Sequence, residues 1–132
     1  MGVIMRRRTL LGAAALLPLG ARVVSAAPPA ETITPALIEA AKKEGKLAFY
    51  TAMDLAFAQR LANTFEGKFP GISVRVERSG AERVFSRIGQ EYSSNIHAVD
   101  VVNTADHAHC IVWKRNQWLA PYMPEDVAKH FD

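Results

Sequence analysis

Three short segments of the sequence carry the small and polar residue types that bind ligands through backbone and side-chain groups. They are residues 50–54 (YTAMD), 78–82 (RSGAE) and 103–106 (NTAD), and each leads from a predicted strand into a predicted helix. The start of a helix presents unpaired N–H groups, which favour an anion: a carboxylate, a phosphate-like group or the anion shell around a metal. The predicted ligand-binding residues are Thr51, Ala52, Ser79, Gly80, Asn103 and Thr104.

Helix capping is the other explanation for the same residue types. Ser79 and Glu82 have the spacing of a capping box, in which two side chains satisfy the first N–H groups of their own helix. Asp54 and Thr104 are also ordinary N-cap types. Capping accounts for these residues about as well as binding does. Binding is favoured because three such turns fall on one edge of one sheet, and ligands bind at the carboxyl ends of parallel strands.

The sequence contains none of the common catalytic motifs. It has no G-x-S-x-G elbow, no G-x-G-x-x-G loop, no Walker sequence and no H-E-x-x-H pair. We therefore predict that the protein is not an enzyme and has no resident cofactor. A small exported α/β enzyme stays open as the alternative. Its candidate residues at the same edge are Asp54, Ser79, Glu82 and Asp106.

The histidine and cysteine pattern around residue 110 does not predict a metal cluster. His107 and His109 are two positions apart, so on a helix they point in directions about 200° apart and cannot share an ion. We interpret them as surface or helix-end histidines. Cys110 is the single cysteine, which excludes an intramolecular disulfide, and its apolar neighbours predict a small buried residue.

The spacing of apolar residues predicts the elements that position the three segments. The predicted strands are residues 46–51, 72–78 and 98–102. The predicted helices are residues 35–44, 54–69, 81–92 and 106–115. The second strand alternates strictly, which indicates a sheet edge. Short alternation of strands and helices predicts an α/β fold, with a three-stranded parallel sheet and flanking helices.

The first 26 residues have the three parts of a secretory signal. Arg6, Arg7 and Arg8 precede a short apolar run, and the segment ends in small residues with cleavage predicted after Ala26. The run is too short to span a bilayer, which needs roughly 20 apolar residues, so no stable membrane anchor is predicted. The arginines also fit the twin-arginine variant, and the choice between the two export routes stays open.

The positive charge of the chain belongs to this signal. The sequence has 16 Lys and Arg residues against 13 Asp and Glu residues. Four of the basic residues and none of the acidic ones lie in residues 1–26, which leaves 12 against 13 in residues 27–132. That part has no basic footprint, so a nucleic-acid partner is not predicted.

Six segments of residues 27–132 occur in an order that carries a family resemblance. They are 37–45 (LIEAAKKEG), 50–52 (YTA), 62–72 (ANTFEGKFPGI), 78–82 (RSGAE), 98–102 (AVDVV) and 118–122 (WLAPY). Behind an export signal, this combination resembles the periplasmic solute-binding proteins of ABC importers, in the branch called iron(III)-binding or extracellular solute-binding proteins. The resemblance covers essentially all of residues 27–132.

The resemblance implies a two-lobed periplasmic receptor that delivers its solute to an ABC permease and its ATPase. Residues 27–132 then form the front part of lobe 1, type II-like, in an N-terminal fragment that is not competent alone. The transported solute is a ferric ion (Fe3+) or a small anion. Glu82 falls where ferric-binding members place a glutamate metal ligand, whereas Asp54 falls where some place a histidine. A non-functional truncated product is a further alternative.

Overall fold

The structure, a computed structural model, describes residues 29–130. Strands and helices alternate along this part of the chain. The predicted signal, residues 1–26, lies outside the described residues. In chain order the elements are β1 (Ala30–Glu31), α1 (Pro35–Glu44), β2 (Lys46–Thr51), α2 (Leu55–Lys68), β3 (Ser73–Arg78), α3 (Ala81–Ser93), β4 (Val101–Asn103), α4 (His107–Arg115), β5 (Met123–Pro124) and α5 (Glu125–Ala128).

The central sheet contains three strands in the order β3-β2-β4, and both pairings are parallel. β1 and β5 form a separate two-residue parallel pair. Among the described strands, β3 pairs only with β2, and its exposed and half-buried residues alternate over its first four positions. The predicted α/β fold is therefore confirmed, together with the position of the second strand at a sheet edge.

The third strand is shorter than predicted. It covers Val101–Asn103, whereas the sequence predicts a strand over 98–102. The reason is Asp100, whose Oδ2 accepts a hydrogen bond from the Ala48 N–H at 2.7 Å, while its own N–H donates to the Ala48 carbonyl at 3.1 Å. Because a side chain takes the place of a ladder partner at this position, regular pairing begins one residue later.

Local capping sets the ends of the first two helices. The Thr34 Oγ1 accepts from the Leu37 N–H at 3.2 Å, and Pro35 occupies the first position of α1. Gly45 ends α1 with a φ of +67°, a left-handed conformation that favours glycine. Asp54 caps α2 by accepting from the Phe57 N–H at 3.1 Å. These three caps confirm the predicted boundaries.

Helices α3 and α4 cover one face of the sheet. Ala48 and Tyr50 of β2 pack there against Val84, Ile88 and Trp113, all of them buried. Burying an aliphatic or aromatic side chain of this size contributes about 1.5–3 kcal/mol. This face therefore holds the main core, and it fixes the positions from which α3 and α4 begin at the carboxyl edge of the sheet.

Helix α2 covers the opposite face, where Phe49 and Thr51 of β2 are buried. The helix presents Ala58 and Ala62 to this face, and both are almost completely buried. Small side chains allow the helix to approach the strands closely. Leu61 of the same helix is about half exposed.

The prediction for Cys110 is wrong, because the structure places this residue on the exposed face of α4. The same helix buries His109 and Trp113, which lie one turn apart and set the face that packs inward. Cys110 directly follows His109 on the helix and must therefore point away from the core. Within residues 29–130, no helix combines the length and the apolar content that a membrane crossing requires.

Candidate functional site

The three predicted segments meet at the carboxyl edge of the sheet. In the strand register, Thr51 lies beside Arg78 on one side and beside Asn103 on the other. Two backbone bonds continue the contacts past the strand ends: Ser79 N–H donates to the Thr51 carbonyl at 3.0 Å, and Ala52 N–H donates to the Asn103 carbonyl at 3.2 Å. The sequence therefore correctly placed the three strand-to-helix turns side by side.

Thr51 and Asn103 hold this edge together from inside. Thr51 is completely buried, and its Oγ1 donates to the Asn103 Oδ1 at 3.1 Å while accepting from the Met53 N–H at the same distance. Both polar side chains are thus engaged in internal hydrogen bonds. Their part in ligand binding, like that of Ala52, stays a prediction, and the structure gives them the role of shaping the turns.

The capping box proposed for Ser79 and Glu82 does not form. The N-cap residue of α3 is Gly80, and no side chain caps this helix. The first N–H groups of α3 therefore lack the internal partner that a capping box would supply. A Cβ built on Gly80 would meet no atom within 4 Å, so the space in front of the helix is open. This leaves the start of α3 available for a ligand.

Glu82 instead points toward the start of α4, where it joins Asp106 and His109. The His109 Nε2 lies 3.3 Å from the Glu82 Oε1 and 3.9 Å from the Asp106 Oδ2. One ligand atom from each of the three side chains lies within 4.8 Å of the other two. We call Glu82, Asp106 and His109 the carboxylate–imidazole cluster. Its two carboxylates are exposed, whereas the imidazole is buried.

The imidazole is held in place by neighbours on three sides. The Phe85 ring stacks on it with centroids 4.4 Å apart and planes inclined by 16°, and Trp113 lies 5.8 Å away. The Thr104 Oγ1 lies 3.0 Å from Nδ1, on the side opposite the carboxylates. Only 5% of His109 is exposed. Packing therefore fixes the ring, and Nε2 is the nitrogen that faces the carboxylates.

Thr104 and Asp106 form the hydrogen bonds at the N-terminal end of α4. The Asp106 Oδ1 accepts from the Ala108 N–H at 2.8 Å, so Asp106 is the N-cap residue. The Thr104 Oγ1 accepts from the Asp106 N–H at 3.2 Å and contacts His109. Because Asp106 caps with one carboxylate oxygen, the other is left to face His109.

The interpretation of both α4 histidines as surface or helix-end residues is wrong for His109. His107 is exposed, as expected, but His109 is buried. The sequence argument that these two cannot share an ion still holds. The histidine pattern does not reveal the cluster, because the partners of His109 are carboxylates and not a second histidine. The spacing Asp106-x-x-His109, one helical turn, is the signal that could have indicated it.

The cluster can hold a positive charge. Two carboxylates that face an imidazole nitrogen at 3.3 and 3.9 Å favour a proton or a cation between them, since acceptor groups at such distances otherwise repel one another. Carboxylate oxygens and imidazole nitrogens are also ordinary ligands for transition-metal ions. The exposed side of the cluster leaves room for water or for further ligands.

Comparisons with known proteins agree with the fold. No protein-family model matches the sequence, and none of the curated proteins compared matches it. Among solved structures, iron-bound HitA from Pseudomonas aeruginosa is 26% identical, with a TM-score of 0.55. The match covers 63% of this chain and 26% of the HitA chain. The parallel sheet with its flanking helices is thus the architecture of part of a HitA-like lobe, which supports a solute-binding fold.

Proposed function

We propose that this chain belongs to the substrate-binding component of an ABC import system, which captures a ferric ion or a small anionic solute in the periplasm. The observation that carries the proposal is the carboxylate–imidazole cluster at the carboxyl edge of the parallel sheet. The likeness to iron-bound HitA supports it from a separate direction. Ferric ion is cargo in this proposal and not a resident cofactor.

The arrangement of charges suits either solute. Glu82 provides an exposed carboxylate for a ferric ion, and the uncapped start of α3 provides N–H groups for an anion. A metal that carries its own anion would use both features. Some members of the family that the sequence resembles have a histidine after the first strand, at the position where this chain has Asp54. Here the imidazole beside Glu82 comes from α4, as His109.

The proposed partners and location follow from the sequence. Export with cleavage after Ala26 would deliver residues 27–132 to the periplasm, and an ABC permease with its ATPase would accept the solute. With 12 basic and 13 acidic residues in that part, the protein offers nucleic acid no electrostatic attraction. Capture without a chemical step agrees with the absence of the common catalytic motifs from the sequence.

Solute uptake tests this proposal. Cells lacking the gene would be complemented with the wild-type gene, with Glu82→Gln, or with Glu39→Gln as a matched control. Glu39 is an exposed glutamate on α1 that pairs with Lys42 at 2.9 Å, outside the edge segments. We expect the wild-type and control genes to restore uptake of labelled ferric ion, and Glu82→Gln to restore less. If the strain that lacks the gene takes up both ferric ion and small anions as well as the complemented strains do, the import role is rejected.

Cell fractionation tests the location separately. The mature protein is expected in the periplasmic fraction, with an N-terminus at Ala27. Retention of the intact chain in the cytoplasm would contradict the export part of the proposal. Replacing Arg7 and Arg8 by lysine distinguishes the two export routes, because the twin-arginine route requires the arginine pair.

A further inference from the structure

We infer that the carboxylate–imidazole cluster is a binding site for a divalent transition-metal cation, with Glu82, Asp106 and His109 as its protein ligands. The inference goes beyond the proposed function, because it assigns protein ligands for a cation at this edge and does not depend on which solute is imported. It adds two ligands from α4 to the glutamate that the sequence indicated. Its evidence is the geometry of three side chains from two different helices.

Two of the three separations between ligand atoms suit a single ion. Metal–ligand bonds to nitrogen and oxygen are roughly 2.0–2.2 Å long, so two ligands of one ion lie about 3–4.4 Å apart. The distances from the His109 Nε2 to the Glu82 Oε1 and the Asp106 Oδ2, 3.3 and 3.9 Å, fall in this range. Glu82 has 82% of its side chain exposed and can adjust to an ion without disturbing the core.

The residues around the imidazole support the role of His109 as a ligand. A ligating histidine commonly engages its second nitrogen with an oxygen atom, which fixes the ring and the tautomer. Here the Thr104 Oγ1, 3.0 Å from Nδ1, supplies that oxygen. Stacking on Phe85 prevents the ring from turning away. The site is therefore organised around the one ligand that is buried.

Thr104 also allows the ring to change tautomer when an ion enters. Without a cation, the Thr104 hydroxyl can donate to Nδ1 while the Nε2–H donates to Glu82, which satisfies every group. With a cation, Nε2 must be free of its proton, so Nδ1–H donates to the Thr104 hydroxyl. The hydroxyl rotates and the proton changes nitrogen, but no heavy atom of the ring has to move.

The composition of the cluster indicates which cations it takes. One neutral imidazole and two carboxylates carry a charge of −2, which a divalent ion neutralises. A mixed nitrogen and oxygen set suits Zn2+, Fe2+, Mn2+ and similar ions better than the all-oxygen sets of Ca2+ and Mg2+. Three protein ligands leave further coordination positions for water or for another group. Zn2+ is the convenient probe because it is redox-inert.

The test is a titration of the full chain, purified free of metal, with Zn2+ while the histidine ring nitrogens are followed by long-range ¹H–¹⁵N NMR. We expect the His109 signals to move to those of a ring protonated at Nδ1 and metal-bound at Nε2, while exposed His107 is unaffected. An unchanged His109 ring up to millimolar Zn2+ would overturn the inference. So would a response of His107 equal to that of His109.

Conservative variants separate ligation from folding. Glu82→Gln and Asp106→Asn each remove one charge, and asparagine still caps a helix as well as aspartate does. Each is expected to weaken Zn2+ binding more than about tenfold, because even the loss of a partner behind a metal ligand costs about 10–100-fold. His107→Gln is the matched control and should change nothing. Equal affinity in all four proteins would refute the assignment.

Thr104 is a positioning residue and has its own readout. Thr104→Val should weaken binding about tenfold and shift the Nδ1–H signal of the metal-bound ring, because that N–H loses its acceptor, whereas Thr104→Ser, which keeps the hydroxyl, should restore both. Inorganic phosphate distinguishes the other solute class. If phosphate shifts the first amides of α3 and Zn2+ leaves His109 unchanged, the inference fails while import of an anion stands. If Zn2+ binds as described and uptake is absent, the cluster stands and the import role fails.

Discussion

Replacing Thr51 by valine should destabilise the whole edge on which the candidate site is built. Valine has nearly the same shape, so the substitution removes the hydroxyl without opening a cavity. The substitution removes two hydrogen bonds of a completely buried residue, one donated to the Asn103 Oδ1 and one accepted from the Met53 N–H. Both are 3.1 Å long. A buried group left without its partner costs about 1–3 kcal/mol, so we expect a loss of about 2 kcal/mol.

Urea denaturation measures this loss. With a slope of about 1–3 kcal/mol per molar urea, a loss of about 2 kcal/mol lowers the midpoint by about 1 M while the slope stays unchanged. Thr64→Val is the matched control, because the Thr64 hydroxyl donates to the Arg60 carbonyl at 2.8 Å on an exposed helix surface. It should lower stability by less than about 0.5 kcal/mol. If both variants lose the same amount, the argument from burial is refuted.

Three further predictions concern stability, titration and reactivity. Gly45→Ala should destabilise by about 1 kcal/mol because φ is +67° there, whereas Gly89→Ala, in a helix with nothing within 4 Å of the new Cβ, should stabilise by up to about 1 kcal/mol in the same denaturation assay; equal effects would contradict the role of backbone conformation. Burial, together with the hydrogen bond to Glu91, raises the pKa of Tyr50 above its usual 10.0, so the unfolded chain ionises first and unfolding free energy should fall as pH rises past about 10. Tyr50→Phe should remove the tyrosinate absorbance change that occurs above the usual tyrosine pKa and should flatten that fall, and an unchanged pH profile of the unfolding free energy would contradict the prediction. The exposed Cys110 thiol should react with a disulfide reagent in the native chain almost as fast as in urea, and strong native protection would contradict its placement.

Features that depend on neighbours in the sequence were predicted well. The predicted bounds of α1 and the predicted start of α2 agree with the structure, because the caps at Thr34, Gly45 and Asp54 use partners no more than four residues away. The predicted strand 46–51 matches β2, because a compact apolar run bounded by glycine and polar residues has few other uses. Right-handed crossovers then bring the three turns to one edge.

Features that depend on distant partners could not be predicted from the sequence. The late start of β4 comes from a bond between Asp100 and Ala48, which are 52 positions apart. The contact between Glu82 and His109 spans 27 positions, and no local pattern connects these two residues, whereas the spacing of Asp106 and His109 does indicate the other half of the cluster. The exposure of Cys110 follows from how α4 rotates to bury its larger neighbours. In each case packing decides, and residue type does not.

The capping box illustrates a local pattern that the fold overrides. Ser79 and Glu82 have the right types and spacing, yet α3 begins at Ala81 behind Gly80 and has no side-chain cap. Glu82 contacts His109 instead, and the Ser79 N–H donates to the Thr51 carbonyl as an extension of the sheet. The competing partners lie on neighbouring elements, and together they remove the geometry that a capping box needs.

The most direct test of the central claim, that the carboxyl edge of the sheet binds the solute, is residue-level mapping by NMR. The ¹⁵N-labelled chain would be titrated with gallium(III), a diamagnetic substitute for ferric ion, and with small anions. The account predicts that the amides which shift belong to residues 51–54, 79–82 and 103–109. Shifts at the opposite end of the sheet, around Gly45 and Gly71–Ser73, or no shift with any solute, would contradict it.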